Sequence, residues 1–228
     1  MTSTPPPEAP IPDVDFADNT NQRTPCVLIV DGSGSMSGQP IDSLNQGLAQ
    51  LQSDLEADTV ARERVRLLVL SVGGRDEVTV VHEWADAIDF KAPTIAANGS
   101  TPLGKALDVA LERIEDAKRD MKQAGVAYTR PLIYMITDGQ PTDPGWDAAA
   151  ARCQAAIAAK KVQLFAIGTG DEVSYDALRE TGGTMLKLKG LNFKELFQFL
   201  SASVSSASQA ATGQNTQVTL PPSITIAS

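Results

Sequence analysis

The feature that most constrains this chain is an apolar run that ends abruptly on an acid and two glycines. Cys26-Val27-Leu28-Ile29-Val30 is followed by Asp31-Gly32-Ser33-Gly34-Ser35. A short uninterrupted run of this kind, rich in β-branched residues, reads as a strand buried on both faces. Such strands belong to sheets covered by helices on either side, where ligands gather at the carboxyl ends of the strands. Asp31, Ser33 and Ser35 thus offer one carboxylate and two hydroxyls at alternate positions, while Gly32 and Gly34 let the backbone bend and converge them. Every donor is an oxygen, which suits a hard divalent cation, Mg²⁺ first and Mn²⁺ second.

The remaining elements can be placed around that strand. Residues 1–22 carry Pro5-Pro6-Pro7, further prolines and several acids without periodicity, and read as a flexible segment. Pro40 opens a helix whose Ile41, Leu44, Leu48, Leu51 and Leu55 recur at helical spacing as far as about Asp58. Val65 to Val72 and Glu77 to Trp84 read as strands, and Gly73-Gly74-Arg75-Asp76 between them is short enough to demand an antiparallel hairpin at the sheet edge. Gly99-Ser100-Thr101-Pro102 then precedes a long amphipathic helix through Met121, with Thr101 as its expected N-cap.

A strand from Pro131 to Thr137 ends on Asp138-Gly139, repeating the arrangement of the first. Beyond it lie a helix from Trp146, a strand from Val162 to Ile167, a short helix from Tyr175, a strand over Met185 to Leu188, and a closing helix from Phe193 to Val204. Ser, Ala, Thr and Gln dominate afterwards, so 23–205 is expected as one domain and 206–228 as a mobile tail in which Val218-Thr219-Leu220 offers a further strand. The alternation predicts an α/β fold, a doubly wound and mostly parallel sheet with one antiparallel edge strand and helices on both faces.

Three loops therefore present acceptor oxygens at one sheet edge: Asp31, Ser33 and Ser35 after the first strand, Thr101 before the long helix, and Asp138 after the fourth strand. Two carboxylates and three neutral hydroxyls balance a bound divalent cation without overcompensating it, and leave a coordination position open for water or an outside ligand. Taken singly, each residue also has a structural reading: serines of a tight turn, a plain N-cap, a loop-closing acid. The net charge of −9 argues against nucleic acid and anionic membrane as partners. Cys26 and Cys153 fall on apolar faces and are expected to be buried and unpaired, as in a reducing compartment. With no membrane-length apolar run and no signal-peptide pattern, the expected location is the cytoplasm.

Asp31-Gly-Ser-Gly-Ser35, Thr101 and Thr137-Asp138-Gly139 together resemble the metal-ion-dependent adhesion site of von Willebrand factor A domains, over roughly residues 24–205. The resemblance implies a Rossmann-like fold and direct metal contacts from Ser33, Ser35 and Thr101. It implies that Asp31 and Asp138 act through water, and that a partner protein's Asp or Glu fills the open position. Ser35-Met36-Ser37-Gly38, Ser100 to Gly104, Thr137 to Asp143 and Lys187 to Phe193 further resemble the bacterial cytoplasmic branch associated with tellurium resistance, which implies a setting in stress response. Gly32 departs from that pattern, where a larger residue is commoner, and is expected to loosen the loop without removing a ligand.

Enzyme readings fit less well. The Gly32-x-Gly34-x-x-x-Gly38 spacing lacks the acid a dinucleotide fold places at the end of the second strand. Gly99 to Ala106 resembles a phosphate loop, yet Ala106 replaces its hydroxyl and Pro102 removes a backbone donor. Asp31 as a phosphoryl acceptor has Ser33 where a second acid is needed, and the single histidine, His82, reads as a surface residue of the edge strand. Asp143 is read as the N-cap of the helix after Pro144 in preference to an outer metal group, and Glu112, Glu115, Asp116 and Asp120 as a solvated helix face. The expectation is a metal-dependent protein-binding module without catalysis, with a metal-independent scaffold as the alternative.

Overall fold

A computed structural model describes residues 19, 21–170, 173–209 and 219–227. Seven strands form one sheet in the order β3-β2-β1-β4-β5-β6-β7. They are β1 (Thr24–Asp31), β2 (Val65–Gly73), β3 (Glu77–Asp86), β4 (Leu132–Thr137), β5 (Gln163–Thr169), β6 (Thr184–Leu188) and β7 (Ile224–Ile226). Strands β1, β2, β4, β5 and β6 run parallel, and β3 returns antiparallel along β2, as the short hairpin requires. Each residue of β1 is buried, which is what a run without polar alternation dictates for a central strand.

The side chains of β1 alternate between two cores. Cys26, Leu28 and Val30 point to one core, which α1 (Gln39–Ala57) and α6 (Phe193–Gln209) cover. Val27 and Ile29 point to the other, beneath α3 (Leu103–Gln123) and α4 (Trp146–Ala158). The expected stripe of α1, Ile41, Leu44, Leu48, Leu51 and Leu55, is buried throughout. Helix α6 lies close along α1, since a Cβ on Gly47 would stand 2.3 Å from Phe197 Cδ2. Both cysteines are buried and free; burial pushes their thiols up, that of Cys153 to about 12.

Three features differ from the sequence expectation or add to it. Helix α6 continues to Gln209, because Ser205 and Ser208 are themselves buried and let the helix pack closely; Arg64 donates to the Ser208 carbonyl at 2.9 Å. The expected strand at Val218 to Leu220 falls partly outside the described residues, and Thr219 and Leu220 are not in a strand. Pro221 and Pro222 cannot donate to a ladder, so pairing begins only after them, where Ile224–Ile226 runs antiparallel to β6 and forms a second antiparallel edge. A one-turn helix, α2 (Ala61–Arg64), is held by the Asp58 carboxylate, which accepts from Val60 N and Ala61 N at 2.9 Å each. A last short helix, α5 (Tyr175–Arg179), leads into β6. The expected flexible segment at 1–22 lies almost wholly outside the described residues. Among the described residues no helix is long and apolar enough to cross a membrane.

Candidate metal centre

The parallel strands β1 and β4 are neighbours, so the loops that follow them leave the sheet side by side. Asp31 ends β1 with its side chain fully buried, and Asp138 follows the last residue of β4. Both Asp31 oxygens have protein donors: Oδ1 accepts from Ser33 N at 2.8 Å and Oδ2 from the Thr137 hydroxyl at 2.5 Å. No lysine or arginine pairs with Asp31 among the described residues. Hydrogen bonds satisfy both oxygens of this buried carboxyl group, but no cationic side chain faces it among the described residues. Ser33 Oγ lies 2.9 Å from Ser35 Oγ, which donates to Asp138 Oδ1 at 2.8 Å. Thr101 reaches the same place from the third loop, its Oγ1 3.7 Å from where a Cβ on Gly139 would stand. The five predicted oxygen residues are therefore gathered at one edge.

Backbone contacts fasten the loop before α3 to the loop after β1 and to the β2–β3 hairpin. Gly34 N donates to Gly99 O at 3.0 Å, and Asn98 N donates to Gly32 O at 2.7 Å. Asn98 also accepts from Gly74 N, at its own carbonyl (3.0 Å) and at Oδ1 (2.7 Å), which ties the loop before α3 to the hairpin tip. Gly99 has φ +73, and a Cβ there would fall 1.6 Å from Gly74 O, so the crossing requires glycine. Gly32 corrects the expectation of a loosened loop. A Cβ on it would lie 2.8 Å from Ser71 Oγ and 3.0 Å from the carbonyl oxygens of Ala96 and Val72; glycine here permits closer packing.

Two capping expectations are also corrected. The N-cap position of α3 is Pro102, whose ring carries no hydrogen-bond acceptor, and Thr101 lies one residue too early to cap the helix with its hydroxyl. Asp143 does so from across the cleft, accepting from Gly104 N at 3.1 Å and Lys105 N at 3.0 Å, while Gly145 holds the N-cap position of α4. Those contacts also dispose of the phosphate-loop reading, because the amides such a loop would turn to phosphate are taken by Asp143. Lys105 Nζ is turned to Asp76. His82 sits on β3 as expected, its ring nitrogens bonded to Glu83 O at 2.6 Å and Lys91 N at 3.2 Å. Sequence reading missed Thr137, Asn98 and the reach of Thr142 and Asp143. Only the Thr-Asp-Gly triplet hinted at the first.

Among the described residues no group of three or more His, Cys, Asp or Glu forms a cluster, so a nitrogen- or sulfur-rich site is not built here. The donor set of two carboxylates and three hydroxyls fits a hard cation instead. The family model of the von Willebrand factor type A domain matches residues 26–196. The chain belongs to that family.

Human inter-alpha-trypsin inhibitor heavy chain H4 is 26% identical over 160 residues, which is 68% of this chain and 16% of that protein. An uncharacterized protein of Synechocystis is 25% identical over 167 residues, 71% of this chain and 36% of its own. This von Willebrand factor A domain thus spans a minor part of the curated relatives it matches. Among solved structures, a von Willebrand factor type A protein from Catenulispora acidiphila is 20% identical with a TM-score of 0.57, over 81% of this chain and 43% of that one. The domain of the type V pilus tip protein Mfa5 from Porphyromonas gingivalis aligns with a TM-score of 0.54 at 12% identity, over 85% of this chain and 99% of its own. Proximal thread matrix protein 1 from the mussel byssus, in a structure with a zinc-occupied MIDAS motif, aligns with a TM-score of 0.53 at 13% identity, over 82% and 49%. These likenesses bear on the fold.

Proposed function

We propose that this von Willebrand factor A domain holds one divalent cation through Asp31, Ser33, Ser35, Thr101 and Asp138, and captures through it an aspartate or glutamate of a partner protein. The observation that carries the reading is Asp31, a fully buried carboxylate without a cationic partner among the described residues, on the same edge as Asp138 and three hydroxyls. Mg²⁺ suits an all-oxygen set best, with Mn²⁺ next. The mussel protein's zinc-occupied motif supports a divalent ion in this fold family without choosing the metal. When bound, the cation supplies two positive charges at the spot where the acid docks, reversing the local sign on a chain of net charge −9.

Among the described residues, His82 is bonded to Glu83 and Lys91, and Lys105 is bonded to Asp76, so neither His82 nor Lys105 stands beside the site hydroxyls as a general base. The reading is therefore of a binding module without turnover, and interaction is the common use of domains in this family. The motif resemblance to the bacterial tellurium-resistance branch supports a cytoplasmic stress-response setting. A second reading, a metal-independent scaffold, is favoured by one fact: protein hydrogen bonds already fasten the three loops to one another.

Titration calorimetry with Mg²⁺ and Mn²⁺, on the wild type and on folded Asp31→Ala protein, separates the two. The proposal expects one site lost in the variant, and capture of an acidic partner that chelator abolishes. Unchanged metal affinity in Asp31→Ala would overturn it.

A further inference from the structure

Thr101 reaches the cation site on a loop with no rigid element of its own before α3, and its placement depends on the neighbouring loop. Its N–H donates to Thr142 Oγ1 at 3.0 Å, and its carbonyl accepts from Thr142 N at 3.0 Å. Residue 101 is thus gripped on both sides by one residue. Immediately beyond, the buried Asp143 carboxylate takes the Gly104 and Lys105 amides, at the positive end of a 21-residue helix. Gly104 has been shaped to this contact: a Cβ there would stand 2.4 Å from Asp143 Oδ2 and 3.0 Å from the Trp146 Cα. Thr142 and Asp143 belong to the loop that starts with Asp138.

We propose that Thr142 and Asp143 are positioning residues of the cation site, a clasp that makes Thr101 and Asp138 move as one body. Neither residue touches the ion. Both Asp143 oxygens accept backbone amides of the first turn of α3, which assigns it a capping and positioning role. Loosening the clasp lets Thr101 stand away from Asp138 while all five metal-facing side chains remain in the chain. Outer supports of metal ligands act on affinity on a scale of about 10- to 100-fold.

This inference rests on the proposed cation site, and the test separates the two. Mg²⁺ affinity is measured by calorimetry, and unfolding in chelator by circular dichroism, for wild type, Thr142→Val, Thr142→Ser and Asp143→Asn. Thr142→Val removes the oxygen that Thr101 N–H needs and keeps the shape; Thr142→Ser restores it. Asp143→Asn turns one acceptor into a donor that faces an amide. The clasp predicts Mg²⁺ binding weakened about tenfold or more in Thr142→Val and Asp143→Asn, with Thr142→Ser within about threefold of wild type.

Wild-type binding with equal affinity in all folded variants, whatever their stability in chelator, would make the contacts structural only and overturn the clasp alone. A wild type that binds neither Mg²⁺ nor Mn²⁺ would overturn the cation site and the clasp with it. Should Asp143→Asn not fold, Thr142→Val against Thr142→Ser decides.

Discussion

Thr137→Val is the most informative single change, because it tests the support of Asp31 without touching a proposed ligand. The Thr137 hydroxyl donates to Asp31 Oδ2 at 2.5 Å and accepts from Gly139 N at 3.2 Å, and both Thr137 and Asp31 are fully buried. Valine keeps the shape and removes both bonds. A hydrogen bond to a charged group contributes about 1.5–3 kcal/mol and a neutral one about 1 kcal/mol, so the loss is on the order of 3 kcal/mol. For a domain of this size that corresponds to an unfolding midpoint lower by about 6–12 °C. Thr137→Ser, which keeps the hydroxyl and deletes one methyl, should lose only about 1 kcal/mol. Chemical denaturation of the three proteins in chelator gives the comparison. The pair Thr137→Val in wild type and in Asp31→Ala gives the coupling, which should return most of the loss. If valine is no worse than serine, or costs the same with and without Asp31, the buried carboxylate does not depend on this hydroxyl.

Gly99→Ala should abolish stable folding, by more than about 4 kcal/mol, because the added carbon collides with the Gly74 carbonyl and the backbone is left-handed there. Gly34→Ala, 3.5 Å from its nearest neighbour and with φ outside that region, should shift the melting midpoint by the equivalent of less than about 1 kcal/mol. At Asp58, burial opposes the ionised form, but hydrogen bonds from Ala61 N, the Ser205 side chain and Val60 N outweigh it and hold the carboxyl below its usual range. A depressed native value gives stability that is present above the unfolded aspartate value, about 3.9, and is lost as the pH falls through the native one. Asp58→Ala should therefore be about 1 kcal/mol less stable at pH 7, with the gap to wild type closing below about pH 4 in urea titrations.

What could be read in the sequence was whatever local pattern determines. The apolar runs of β1 and β4 and the spacing of α1 and α3 specify buried strands and half-buried helices, and acids closing two parallel strands must meet at one edge. Side-chain contacts between loops were not legible, since they depend on where separate segments cross. Asp143 looked like the cap of the helix that follows it in sequence, and caps one that begins 40 residues earlier in the chain. Gly32 looked like slack, and is a point where three chain segments come within contact distance. The three-residue β7 lay below the length at which periodicity means anything, and only the paired prolines before it marked where a strand could start.

The crossing of Gly99 over Gly74 has a practical consequence for anyone fitting this protein with a reporter. A surface hairpin such as Gly74-Arg75-Asp76 is the usual choice for splicing in a tag or fluorophore, because tips of this kind tolerate added length. Here the tip is bonded to Asn98 and Ser100 and, through Asp76, to Lys105, so an insert would pull on the segment that carries Thr101. A label at that tip would both report on and disturb the cation binding proposed for Thr101. The turn at Lys160, exposed at the far end of α4, is the better attachment point for a passive label, and the hairpin is the place to put a sensor.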